Sequence, residues 1–403
     1  MFIGIPASAG FTQTASVFEL PAPTGKSPIG TTRWVVTDTA RQETFAAGQT
    51  RQVEVIAWYP AVESVAPTAP YLRDGMEEAL SFARLAKLGN AFDALAAVKT
   101  HAVLDARPAA SPARFPVIVF SHGYTGLPSS HTGLFEDLAS HGWVVLSVVH
   151  PYEATGSMLA DGTVITFLNE KGTMHQGIMD VLNEWGPESG TMEKVTAAAD
   201  EAEKQKLLRG YLATLENTDG VVKRWVLDTR LVLDRLPKDG AAGRVAAKLD
   251  LARLGVAGHS MGGVVAGQFC VEDRRCKAGL NLDGIPQYGT MIDTPMPAPF
   301  LMVYSGRAGR AGASDIIYRG AASKYYRVDV KDTLHLDFTD MNFWGGPLRQ
   351  RGAYGAIAPA RAAEVTRAIV REYFAQEILG QKSGLLSGEQ QWDGVTVAPV
   401  RKP

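Results

Sequence analysis

Ser260 stands in the string Gly258-His259-Ser260-Met261-Gly262-Gly263, and such a string can support nucleophilic chemistry. Leu254 to Gly258 reads as a short buried strand, and Val264 to Val271 reads as a helix. A serine between glycines at that junction sits on a sharp strand-to-helix turn. The helix that begins there turns its N-terminus toward the same point, which favours developing negative charge. A serine hydroxyl becomes a useful nucleophile once a base takes its proton. The chain has eight histidines, and His335 alone follows Ser260. It lies in Thr333-Leu334-His335-Leu336-Asp337-Phe338. An acid would fix the imidazole tautomer and stabilise the imidazolium. Asp273, Asp283, Asp293, Asp315, Asp329 and Asp332 all lie between Ser260 and His335. Asp283 ends the first strand after the nucleophile helix, and Asp315 follows the next strand. Position alone leaves these two comparable, and Asp329 and Asp332 read as solvated charges. The oxyanion of a tetrahedral intermediate needs backbone donors. Met261, just after the serine, is one candidate. Tyr124, in the loop Ser121-His122-Gly123-Tyr124, is the other. His122 reads as structural support for that loop.

These groups need a scaffold, and the sequence supplies a rhythm for one. Residues 11–60 are β-rich, and residues 75–99 carry apolar positions at helical spacing. From residue 115, short apolar runs alternate with helical stretches: Val117–Phe120, Trp143–Val149, Leu254–Gly258, Ala278–Leu282 and Phe300–Tyr304. Buried strands alternating with helices imply a mostly parallel sheet covered on both faces, an α/β architecture. With the Gly-x-Ser-x-Gly turn this points to the α/β-hydrolase fold, whose partners follow the order Ser, acid, His. The expected layout is one domain over 1–380, with 174–236 as a helical insertion or lid. Ala360 to Leu379 is the last helix, and 381–403 is a polar, poorly ordered tail.

Bulk properties narrow the function classes. The chain has 403 residues, 46% hydrophobic and 20% charged, with a formal net charge of −2. That composition fits an ordinary globular protein and argues against bulk attraction to nucleic acid. Cys270 and Cys276 are the two cysteines, too few for a zinc site by themselves. They can be two buried thiols or close a small disulfide loop. No metal or other cofactor is expected. Residues 1–10 lack a basic segment and a long apolar run, so localisation stays open: periplasmic or secreted if a signal has been removed, otherwise cytoplasmic. The 75–99 helices and Phe343-Trp344 read as core packing, with a rim for lipid aggregates as the other reading.

Over roughly residues 18–380 the chain resembles the platelet-activating factor acetylhydrolase family of serine esterases, particularly its bacterial members. The resemblance is carried by Leu20–Gly25, Trp58-Tyr59-Pro60-Ala61, Phe120–Gly123, Gly258–Gly263, Asn281-Leu282-Asp283-Gly284 and His335–Asp340. It implies Asp283 over Asp315 as the acid, Tyr124 and Met261 as oxyanion donors, and a calcium-independent esterase or lipase acting on a small-molecule or lipid ester. Met261 stands where the family often has Phe. Other acyl hydrolases remain alternatives: a polyester hydrolase, thioesterase, amidase or dienelactone-type enzyme. A non-catalytic binding protein on the same fold is a further one.

Overall fold

The computed structural model describes residues 18–111, 114–236, 240–285, 290–307, 309–310 and 312–401. Thirteen strands run along the described residues. They are β1 (Ile29–Gln42), β2 (Thr50–Pro60), β3 (Thr68–Pro70), β4 (Lys99–Leu104), β5 (Phe115–Ser121), β6 (Val144–Val149), β7 (Ser157–Met158), β8 (Val164–Ile165), β9 (Leu249–His259), β10 (Cys276–Leu282), β11 (Phe300–Ser305), β12 (Tyr325–Val330) and β13 (Val395–Arg401). All but the small β7–β8 hairpin join one sheet, in the order β13-β12-β11-β10-β9-β5-β6-β2-β1-β4-β3. The run from β12 to β6 is parallel. β2 joins β6 antiparallel.

The helices explain why the central strands β5, β6 and β11 are largely apolar. They are α1 (Glu77–Ala86), α2 (Thr132–Ser140), α3 (Gln176–Glu184), α4 (Glu188–Ala197), α5 (Glu201–Leu212), α6 (Glu216–Asp234), α7 (Gly240–Ala246), α8 (Met261–Glu272), α9 (Asp315–Ala321), α10 (Gly346–Gln350) and α11 (Pro359–Leu379). Successive residues of a strand face opposite sides. Val117 and Val119 of β5 join a core with Trp225 of α6 and Phe269 of α8. Ile118 and Phe120, their neighbours, join the opposite core with Phe135 of α2 and Ile369 of α11. Both faces are dry, so the strands lose their polar alternation. A third cluster, with Phe82, Phe92 and Trp344, packs beside the sheet. Trp344 is fully buried and meets Phe92 at a ring separation of 4.9 Å, as the core-packing reading requires.

Three details bear on the layout read from the sequence. Within 174–236, α6 packs against α8 and against β1, β2 and β6, so this helix is a layer of the core. Beyond Gly380, which ends α11 in a left-handed conformation, the chain is not a free polar tail. Leu385 and Leu386 are buried, and Val395–Arg401 pairs antiparallel with β12 as an edge strand. The alternation Val395-Thr396-Val397 carries that pairing, too short a pattern to separate from loop by composition. Cys270 and Cys276 are joined as a disulfide between the end of α8 and the start of β10.

Candidate active site

The turn at Ser260 follows from crowding. Ser260 adopts φ 57° and ψ −123°, a region that non-glycine residues rarely occupy. The neighbours enforce it: a Cβ on Gly262 would stand 2.0 Å from the Ser121 carbonyl oxygen. The Ser260 N–H donates to the Leu282 carbonyl at 2.9 Å, which ties the turn to the end of β10. Met261 is the first residue of α8, and first-turn N–H groups have no acceptor within their helix. On the other side, a Cβ on Gly123 would come within 3.2 Å of the Ser260 Cβ, so the loop carrying Tyr124 presses directly on the serine.

His122 braces this loop. Its Nε2 accepts from the His150 N–H at 3.1 Å, which leaves Nδ1 to donate to the Gly123 carbonyl at 2.7 Å. Burial pushes its pKa down to about 3, so the ring is neutral. The Thr125 N–H reaches the Glu153 carbonyl at 2.9 Å, and the Tyr124 ring packs on Trp185 and Trp225.

Asp283 follows β10 with φ 55°, underpinned by Asn281, whose Oδ1 accepts the Gly284 N–H at 2.7 Å. Its Oδ1 accepts the Ser305 N–H at 2.8 Å. Its Oδ2 accepts from His335 Nδ1 at 2.7 Å and from Arg307 Nη2 at 3.0 Å. Burial alone would raise this carboxyl. The Arg307 charge and the His335 bond outweigh it and hold Asp283 well below the usual carboxylate range. His335 opens a short 3₁₀ turn, His335–Phe338. Its carbonyl accepts from His259 Nε2 at 2.9 Å. Asp337 secures the turn by accepting the Leu334 and Gly355 N–H groups. Burial lowers the His335 pKa to about 4; the Asp283 bond opposes that shift and the Arg307 charge adds to it.

Ser260 and His335 line one cavity of about 230 Å³ with Gly123, Tyr124, Leu127 and Met341. None of the described lining residues comes from 174–236. Asp315 lies elsewhere. It accepts from the Tyr304 hydroxyl at 3.0 Å, the Tyr325 hydroxyl at 2.6 Å and Arg327 at 2.9 Å. Among the described residues no three or more His, Cys, Asp or Glu converge as metal ligands would. No described helix is long and apolar enough to cross a membrane. Arg307 and His259 escaped the reading of the sequence. A signal for Arg307 existed, since it stands just past the end of β11, where sites form in open α/β sheets.

The sequence profile of platelet-activating factor acetylhydrolase, isoform II, matches residues 14–397. The chain belongs to this family. It is 23% identical over 238 residues to platelet-activating factor acetylhydrolase of Cavia porcellus, covering 58% of this chain and 50% of that one. The Canis lupus familiaris protein of the same name is 24% identical over 240 residues. The chain thus spans about half the length of these curated relatives. A solved ferulic acid esterase from Streptomyces cinnamoneus superposes with a TM-score of 0.70 at 29% identity, covering 94% of this chain and 99% of that one. The fold is that of the α/β-hydrolases.

Proposed function

We propose that this chain is a serine esterase that cleaves short-chain carboxylic esters through Ser260, His335 and Asp283. One observation carries the reading: His335 bonds Asp283 through Nδ1 while sharing a cavity with Ser260. That leaves His335 Nε2 to take the serine proton. Ser260 Oγ attacks the ester carbonyl. The oxyanion is received by the N–H groups of Tyr124 and Met261, and collapse expels the alcohol with the proton from His335. Water, activated by the same imidazole, releases the acid from the acyl-enzyme. No step calls for a metal or cofactor.

A cavity of about 230 Å³ falls below the roughly 300–1,000 Å³ usual for drug-sized ligands, which favours a small acyl group. The relatives' names, acetylhydrolase and ferulic acid esterase, agree with ester cleavage and differ on the substrate. Soluble and lipid esters are both in scope. The Cys270–Cys276 disulfide supports an oxidising compartment. A fluorophosphonate probe should label Ser260, and a p-nitrophenyl ester series should peak at short acyl chains. Labelling elsewhere would remove the serine from the mechanism. Preferential cleavage of thioesters or amides over matched esters would favour the other acyl-hydrolase readings.

A further inference from the structure

We infer that Glu153 positions the oxyanion donor Tyr124, and that Arg224 and Trp225 on α6 hold Glu153 in place to do so. This rests on the serine-esterase reading, with the Tyr124 N–H as a donor. A peptide is planar and trans, so its N–H points away from its own carbonyl. The peptide that carries the Tyr124 N–H has its Gly123 carbonyl held by His122 Nδ1 at 2.7 Å and by the Gly126 N–H at 2.9 Å. That plane is set from within the loop. The next plane is set from outside, because the Thr125 N–H donates to the Glu153 carbonyl at 2.9 Å. Tyr124 hangs between the two.

The outside bond opposes strain. Thr125 adopts φ 54°, a left-handed conformation that a β-branched residue rarely takes. Released, this backbone would relax toward negative φ and turn the Tyr124–Thr125 peptide with it. The partner segment is strained as well, since Tyr152, just before Glu153, has φ 62°. The Glu153 side chain holds both. It is fully buried, and its Oε1 accepts from Arg224 Nη2 at 2.5 Å. Its Oε2 accepts from Arg224 Nε at 3.0 Å and from Trp225 Nε1 at 2.8 Å. A two-point pair of this kind fixes direction as well as distance. Arg51 stands 3.7 Å away and adds its charge. Two residues on, the Thr155 N–H donates to the Gly126 carbonyl at 3.0 Å, so the two segments run side by side.

α6 lies in the stretch 174–236, from which no described residue lines the Ser260 cavity. Through Glu153 it bears on the oxyanion, which exists only once Ser260 has attacked. Loosening the link should therefore weaken tetrahedral species and leave ground-state binding alone.

Two ketones separate those states: phenylethyl methyl ketone, bound as the ketone, and phenylethyl trifluoromethyl ketone, bound as an adduct. In the adduct Ser260 Oγ bonds to the carbonyl carbon, its proton passes to His335, and the C=O electron pair moves onto oxygen. Nothing leaves. In Glu153→Gln and in Arg224→Met, kcat/KM for p-nitrophenyl acetate per folded molecule should fall about 10–100-fold. The trifluoromethyl ketone Ki should rise by a similar factor, while the methyl ketone Ki stays within about twofold. Arg224→Lys keeps the charge and should recover most of the loss. If neither of the first two variants folds, Arg224→Lys carries the test, with about a threefold rise in the trifluoromethyl ketone Ki alone. The inference is overturned if kcat/KM, or the ratio of the two Ki values, stays at its wild-type level in the folded variants. A merely structural pair would lower the folded fraction and leave that ratio unchanged. Failure of the esterase reading would look different: the trifluoromethyl ketone would not inhibit the wild-type protein, and Ser260→Ala would retain turnover.

Discussion

Two Ser–His–Asp arrangements lie in this chain, about one sheet strand apart, and their difference shows what the residue types alone do not. In the first, His335 Nδ1 meets Asp283 at 2.7 Å beside Ser260. In the second, His150 Nδ1 meets Asp228 at 2.9 Å, and His150 Nε2 lies 3.3 Å from Ser121 Oγ. The second is fully buried. His150 stacks on Trp225 at 3.8 Å, and Asp228 accepts from Arg51 at 2.6 Å and Arg41 at 2.8 Å. Arg51 also binds Glu43. Ser121 is buried at the end of a regular strand, whereas Ser260 is forced onto a strained turn at a helix N-terminus. Ser260 and His335 of the first set line a cavity. The other grips the base of the loop that carries Tyr124, through the His150 N–H on His122.

Replacing each serine is the strongest way to break this contrast. Ser260→Ala should cut kcat/KM for phenyl acetate by about 10⁴-fold or more, while Ser121→Ala should stay within about threefold. Equal losses would mean that the buried set takes part in the chemistry.

The same substitution at the two acids should give opposite readouts. Asp283→Asn should lower kcat about 10³–10⁴-fold per folded molecule, because the wrong His335 tautomer is then favoured. It should cost less stability than Asp228→Asn, because Asp283 pairs with Arg307 where Asp228 pairs with both Arg41 and Arg51. Asp228→Asn should destabilise the fold by about 3–5 kcal/mol in urea titration, since it takes the countercharge from the buried Arg51. Its activity per folded molecule should fall far less. Asp315→Asn belongs with Asp228→Asn, because Asp315 holds Tyr304, Tyr325 and Arg327 together. If Asp315→Asn cost more activity than Asp283→Asn, the acid assignment would be reversed.

How much of this was legible follows from the range of each signal. Ser260 announces itself through local turn chemistry, and His335 through being the one histidine downstream. The parallel sheet shows in strands that are apolar on both faces. Asp283 and Asp315 could not be separated by position, because the choice depends on which strand end faces the histidine turn. The resemblance favoured Asp283, and the geometry brings that residue to His335. Arg307 was invisible as a partner because its meeting with Asp283 spans two strand ends. The His150–Asp228–Arg51 cluster joins residues as much as 177 positions apart, which no local pattern records. The edge strand at Val395–Arg401 failed to show for the opposite reason: its pattern is local but too brief.

The smallest effect is a shift along the pH axis, and it separates the two histidines. His335 must be neutral to accept the Ser260 proton, so protonating it removes activity. Burial, with the Arg307 charge adding to it, depresses its pKa to about 4 against the Asp283 bond. The nearby His259 is also held neutral, chiefly by burial, and adds no charge of its own. The sign is therefore definite: the acid limb of kcat/KM, which reports the free enzyme, should lie below the 6.5 of an unperturbed imidazole. At pH 5.5 a free imidazole is about nine-tenths protonated, yet this chain should keep most of its kcat/KM. Arg307→Met should move the limb upward, because a positive charge that disfavours imidazolium is gone. His150 is depressed too, chiefly by burial, but it faces no substrate and should leave no limb of its own. Its ring should be more neutral at pH 6.5 in the folded protein than a free imidazole is. An acid limb at or above 6.5, or one that Arg307→Met moves downward, would show that Asp283 dominates His335 and that Arg307 does not share it.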